Sequence, residues 1–181
     1  AIPAGFAAGF FGIGGGLVTV PILFYIFNTS GIEPTYVMHL AVGTSFGIII
    51  PTSTVSVLTH HQHKAVDFNI VKGFGFFVVT GVILGTVFAA SLETKPLILF
   101  FTIVVYILAF YLLFLKERET SIEIKMGLLS KAVSGIISGF ISAPMGIGGA
   151  VMNVPILKFF GYPINKAMGS AAAIGFIIAF F

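Results

Sequence analysis

Residues 12–21 read Gly-Ile-Gly-Gly-Gly-Leu-Val-Thr-Val-Pro, and residues 146–155 read Gly-Ile-Gly-Gly-Ala-Val-Met-Asn-Val-Pro. Both stretches lie inside long runs without a single charged residue. A glycine within a helix costs about 1 kcal/mol relative to alanine, and an internal proline removes a backbone hydrogen bond. Such stretches read as deliberate interruptions of membrane-spanning helices. Sliding the chain by 134 positions lays residues 1–23 over 135–157 with 11 of 23 positions identical, and, after a gap, Ala41, Gly43 and Thr44 meet Ala167, Gly169 and Ser170. The expected organisation is therefore two homologous repeats, each with a broken first helix: 1–126, about four helices with a connecting loop, and 127–181, an incomplete second copy.

Of 181 residues, 57% are hydrophobic and 8% charged, against about a quarter charged in soluble domains. Stretches free of Asp, Glu, Lys and Arg cover 1–32, 34–63, 73–92, 96–115, 132–157 and 167–181. A span needs roughly 20 apolar residues, so these runs predict six helical elements in an all-α, polytopic integral membrane protein, with a prokaryotic cell (inner) membrane as the expected location. The chain does not begin with Met and both ends are apolar, which reads as part of a longer protein. The net charge of +3 sits between spans and gives no nucleic-acid footprint; the lipid bilayer and a small anionic solute are the expected partners, and self-association into a homo-oligomer is compatible with the sequence. The absence of cysteine removes disulfides and thiolate chemistry. If every element crosses once, six of the nine basic residues fall on one side, which the positive-inside rule makes cytoplasmic, with the N-terminus of the first span inside.

Irregular backbone at membrane depth is tolerated where it is buried in protein or lines a watery cavity. A helix restarting after Gly14–Gly16 exposes unpaired N–H groups and the positive end of its dipole, which suits an anion. The glycines at 12, 14, 15 and 16 and at 146, 148 and 149 thus form a candidate paired nest. Spacings of four, as in Ala1, Gly5 and Gly9, in Gly135, Gly139 and Ala143, and in Gly81, Gly85 and Ala89, read instead as helix contacts. Thr19 and Asn153 occupy equivalent positions one turn beyond the glycines, either bonding solute or joining helices, and Ser142 and Ser170 share that ambiguity. Thr44, Ser45, Thr52, Ser56 and Thr59 fall within about 120° of arc at 100° per residue. They either line a path with neutral donors or bond back to carbonyls one turn earlier.

His60, His61 and His63 read as a solvated loop, since the sequence marks no further ligands for a metal, and His39 reads as a membrane-edge residue. No acidic residue interrupts a span, which argues against a buried carboxylate relay. Neither a nucleophile with its base, a His-Glu-x-x-His pair nor a phosphate loop is evident, so no enzyme, cofactor or metal site is expected.

The stretches GFFGIGGGLVTVPIL at 9–23 and MGIGGAVMNVPIL at 145–157 resemble the paired signature of the TauE/SafE family of sulfite exporters, and AVGTS at 41–45 and HHQHKAVD at 60–67 are similar to it too. The resemblance implies two copies of a four-helix unit, of which this chain lacks the last helices, and a cargo among sulfite, thiosulfate, organosulfonates and other small anions. Carried over by motif, the implied site is Gly12, Gly14, Gly15, Gly16 and Pro21 with Gly146, Gly148, Gly149 and Pro155. Ala150 stands where the first copy has Gly16, so a symmetric site is not implied. The expectation is a transporter moving a small sulfur-containing anion by alternating access, with Thr19, Thr44, Ser45, Asn153 and Ser170 as further contacts. An anion channel and a non-transporting scaffold subunit are the alternatives.

Overall fold

The computed structural model describes residues 15–114 and 127–181. These form seven helices: α1 (Gly16–Thr29), α2 (Val37–Gln62), α3 (Phe68–Ala90), α4 (Thr94–Phe114), α5 (Leu128–Met145), α6 (Ala150–Phe159) and α7 (Ile164–Phe180). Helices α2 to α5 are long and apolar enough to cross a bilayer, whereas α1, α6 and α7 are shorter apolar helices. Outward-facing side chains such as Phe76, Tyr106 and Leu113 are largely exposed, as expected of a surface solvated by lipid tails.

Local chemistry explains the helix limits. The Asp67 carboxylate caps α3 by accepting from the amides of Asn69 and Ile70 at 3.0 and 3.4 Å, which satisfies donors that a helix start leaves free. Pro51 lies inside α2, and the hydroxyls around it bond back into their own helix: Thr52 to the Ile48 carbonyl at 2.9 Å, Ser53 to Ile49 at 2.6 Å and Thr54 to Ile50 at 2.7 Å. Thr59 does the same with Val55. Of the expected hydroxyl stripe, Thr52 and Thr59 therefore bond back into their own helix on exposed surface, whereas Ser45 reaches the Gly146 carbonyl at the end of another helix.

The tightest pair is α3 with α5. Gly135 meets Phe74, Phe77 and Val78, and Gly139 meets the backbone of Val78 and Val82; reciprocally, Gly81 meets the backbone of Ile136, and Gly85 that of Phe140. Residue numbers rise together on both sides, so the two helices run parallel. A Cβ at any of these four glycines would strike backbone or the base of a side chain, which is why four-residue spacing of small residues permits close approach. Around this pair, Phe74, Val78, Val82, Ala143, Leu157, Ile174 and Ile178 form the largest buried cluster.

The run 132–157, expected to cross once, instead folds back. Helix α5 starts beside the beginning of α3, where Lys131 Nζ lies 3.4 Å from the Cβ position of Gly73. It rises with α3 and stops at Met145. The chain turns through Gly146–Gly149, and α6 returns, its Asn153 accepting a hydrogen bond from Ser138 of α5. Helix α7 then starts at the same end as α3, since Gly169 packs on the Ala65 carbonyl and Ser170 Oγ accepts from the Asp67 amide. The left-handed glycines make the reversal sterically accessible, so the expected interruption turns the chain back where a single crossing was expected.

This re-entrant hairpin corrects the single-crossing orientation. Among the described residues, Lys64, Lys72, Lys131, Lys158 and Lys166 all lie at the end where α3 begins, and Lys95 at the other. The positive-inside rule still makes the lysine-rich end cytoplasmic, with Lys158 and Lys166 transferred to it. The expected cytoplasmic N-terminus of the first span lies outside the described residues. Because the chain has no cysteine, single cysteines report sidedness directly. Replacing His63 or Ile164 should give labelling by an impermeant maleimide from one face, and replacing Lys95 from the opposite face. Labelling of the Ile164 variant together with that of Lys95 would exclude the hairpin.

Candidate functional site: two helix starts at a buried glycine turn

The reversal at the tip of the hairpin is built from two left-handed glycines. Gly146, with φ of 63°, ends α5, and Gly149, with φ of 70°, precedes α6. The Gly146 amide bonds back to the Ala143 carbonyl and that of Ile147 to Ser142, each at 3.3 Å, closing the helix end in the manner of a glycine C-cap. Ile147 and Met145 are buried against Val151 and Val104. The turn is thereby fixed beside the middle of α2, with Gly148 against Ile49 and the Gly148 carbonyl against Gly175 of α7.

The Gly146 carbonyl is the point of convergence. Ser45 Oγ of α2 donates to it at 2.9 Å, and Gly16, the first residue of α1, lies so close that a Cβ there would overlap it. From this shared point α1 and α6 diverge toward opposite ends of the molecule. Helix α1 packs Val20 with Met38 and Leu97, at the start of α2 and of α4, while α6 returns to the start of α7. Both therefore aim their N-termini at one buried locus. Each helix start carries roughly half a positive elementary charge. In α6 the amides of Met152 and Asn153 bond the Gly149 carbonyl at 3.2 and 2.7 Å. Those of Ala150 and Val151 find no backbone acceptor among the described residues.

Two buried side chains extend the donor set. Asn153 is fully buried; its Oδ1 accepts from Ser138 Oγ at 2.5 Å, leaving Nδ2 without a partner beside Gly149. Ser142, one turn above Ser138 on α5, is also buried with an unpartnered hydroxyl. An unsatisfied buried polar group costs about 1–3 kcal/mol, so Asn153 Nδ2 beside the start of α6 and Ser142 Oγ on α5 are buried donors left uncommitted. The buried polar side chains of the described residues, Ser45, Thr94, Ser138, Ser142, Asn153 and Ser170, are all neutral. Positive helix ends and neutral donors without a carboxylate make a locus that favours a small anion.

The sequence-derived candidates divide accordingly. Gly12 and Gly14 lie outside the described residues. Gly15, Gly16, Ser45, Gly146, Gly148, Gly149 and Asn153 assemble around the turn. Thr19 is one turn into α1, but its hydroxyl bonds the Gly15 carbonyl at 2.7 Å. Thr44 and Pro21 are exposed. Pro155 lines a lateral apolar groove of about 440 Å³ with Tyr111, Met152 and Phe159. Ser170 is buried but committed to the Asp67 amide at 3.1 Å. The two halves also differ at the turn: Gly15 has right-handed backbone whereas Gly149 is left-handed. Gly16 must lack a side chain where Ala150 accommodates one, because Gly16 alone abuts the opposing carbonyl.

Ser138 and Gly175 were not singled out. The Ser138 and Ser142 spacing of four, which puts two hydroxyls on one face of α5, was the available signal; Gly175 carries none beyond its size. Replacing Ser138 with Ala removes the donor to Asn153 and should lower stability by about 1–3 kcal/mol, whereas Ser142→Ala removes an unsatisfied buried hydroxyl and should maintain or raise it, as read by thermal melting in detergent. Equal losses would contradict this hydrogen-bond assignment.

The family model described as sulfite exporter TauE/SafE matches residues 1–181. A probable membrane transporter protein of Haemophilus influenzae is 33% identical over 176 residues, covering 97% of this chain and 66% of that protein. One of Methanocaldococcus jannaschii is 29% identical over 177 residues, covering 94% and 63%. The probable membrane transporter protein YunE of Bacillus subtilis is 24% identical over 195 residues, covering 96% and 71%. The chain thus spans about two thirds of the length of these relatives. No solved structure matches it. With the match spanning both glycine clusters and every helix between them, this integral membrane chain belongs to the sulfite exporter TauE/SafE family.

Proposed function

We propose that the protein carries a small anion across the membrane, with the Gly146–Gly149 turn and the start of α1 forming the binding site. The observation that carries this reading is the unpartnered pair, Asn153 Nδ2 beside the N-terminus of α6 and Ser142 Oγ on α5, with no acidic side chain buried among the described residues. Sulfite and related sulfur oxyanions or organosulfonates fit the donor set. Each presents several acceptor oxygens on one compact centre, able to take amide, carboxamide and hydroxyl donors from different directions. Neutral donors hold such a guest without the deep trap that a buried lysine or arginine would create, which permits release.

Alternating access follows from the opposed directions of α1 and α6. The half-helices meet at one locus but belong to units leading to opposite faces, so rocking one bundle on the other exposes the same site to each side in turn. Gly16 and Gly175, which seat neighbouring helices on the carbonyls of Gly146 and Gly148, provide smooth contacts for that motion. The inverted arrangement also accounts for duplicated glycine motifs serving one site.

Full-length protein in proteoliposomes should show saturable uptake of labelled sulfite or thiosulfate with counterflow. Asn153→Asp retains side-chain shape but puts a carboxylate beside the anion; it should lower uptake at least tenfold, equivalent to about 1.4 kcal/mol of lost affinity, without loss of membrane-inserted protein. Gly149→Val, which collides with Ile178 and Asn153, should abolish uptake. Wild-type uptake by Asn153→Asp would overturn the site, and unitary currents without counterflow would replace the carrier by a channel.

A further inference from the structure

Helices α2 and α7 share a register, in which Ala41, Gly43 and Thr44 meet Ala167, Gly169 and Ser170. One side of each helix is used alike. Leu23 of α1 packs against the buried cluster that holds Ala41, and Leu157 of α6, which overlays Leu23, shares a cluster with Ala167.

The other sides differ. On α7 the face of Gly169, Ser170, Ile174 and Ile178 is buried and receives α3. Gly169 abuts the Ala65 carbonyl, Ser170 Oγ accepts from the Asp67 amide at the cap of α3, and Ile174 and Ile178 join Phe74, Val78 and Val82. In the same register α2 carries Gly43, Thr44, Ile48 and Thr52, and all four are exposed. A Cβ at Gly43, or at Gly47 one turn on, would meet nothing within 4 Å. Each of these glycines costs the helix about 1 kcal/mol relative to alanine, and no described contact uses the space they leave. Thr52, Thr54 and Thr59 bond back into α2, whereas the Thr44 hydroxyl has no hydrogen-bond partner among the described residues.

We propose that this face of α2 is the seat of a further apolar helix of the same polypeptide, the one that follows α7, packed on α2 as α3 packs on α7. The relatives carry about a third of their length outside the matched part, room enough for such a helix. Small residues four apart admit a neighbouring backbone at close range, which gives Gly43 and Gly47 a use that contact with lipid tails does not. Thr44 stands where Ser170 accepts the amide that opens α3, so the incoming helix starts at Thr44 and presents a backbone N–H to its hydroxyl. Helices α2 and α7 run in opposite directions, and α3 runs parallel to α7. The incoming helix therefore runs parallel to α2, starting at the end opposite the lysine-rich one. The seat is independent of the anion reading, because none of its residues belongs to the glycine turn.

The test uses full-length protein in proteoliposomes with a photoreactive benzophenone amino acid in place of Ile48. Irradiation should join that position to a peptide C-terminal to Phe181 of the same chain, read by mass spectrometry, with the protein still running as a monomer on a denaturing gel. Crosslinks to lipid alone, or to a second copy as a covalent dimer, overturn the proposal. If the substituted protein does not insert, the wild type decides. Labelled with a lipid-soluble carbene reagent, its segment 43–52 should lose most of the label that it takes up after unfolding in SDS; undiminished labelling overturns the seat. Neither readout requires transport, so a protein that moves no anion leaves the test intact.

Discussion

The architecture depends on one carbonyl. Gly146 turns its oxygen out of the end of α5 in the middle of the protein, where an unpaired acceptor is costly, and Ser45 donates to it while Gly16 lies bare against it. Both contacts are strict. A side chain at position 16 would occupy the carbonyl's place, and a right-handed residue at 146 would send the chain away from α2. The same turn fixes where α6 begins, and hence where Asn153 and the free amides of Ala150 and Val151 sit. Reversal of the backbone, closure against α1 and α2, and exposure of helix donors are consequences of a single local geometry.

That geometry is supported from outside by the parallel α3 and α5 pair. Four glycines bring their backbones into contact, and the Ser138 and Ser142 hydroxyls emerge from α5 toward α6. Helix α7 completes the enclosure by placing Gly175 on the Gly148 carbonyl and Ile178 beside Gly149. The locus is built from five helices, α1, α2, α5, α6 and α7, around one turn, and the hydrogen bonds that fix it are between neutral groups. Its electrostatic character comes from backbone orientation and neutral side-chain donors.

Much of this was legible in residue order because glycine and proline punctuate apolar sequence unambiguously. The Gly-Ile-Gly-Gly at 146–149 located the interruption between α5 and α6, while the residues before Gly15 lie outside the described ones, and the four-residue spacing of Gly81, Gly85, Gly135 and Gly139 marked a close helix contact. The direction of the chain after Gly146 was not legible. An apolar run of 26 residues from 132 to 157 satisfies the length requirement of one crossing, and composition is the same whether the second half continues or returns. Nor does spacing decide which hydroxyl serves which partner. Thr44 and Ser45 are adjacent, yet one faces outward and the other reaches Gly146. Ser170 matches Thr44 in the repeat, but the amide of Asp67, remote in sequence, takes its hydroxyl. Pro21 and Pro155 share the motif with the glycines, but a helix turn carries them off the convergence.

Among the described residues no cationic side chain is buried, which has an energetic corollary for the proposed anionic guest. An anion held only by dipoles and neutral donors retains its full charge, so the electric field across the bilayer acts on it directly. For a monovalent species that force amounts to about 2.3 kcal/mol per 100 mV, directed outward in a cell whose interior is negative. Voltage alone would then favour efflux.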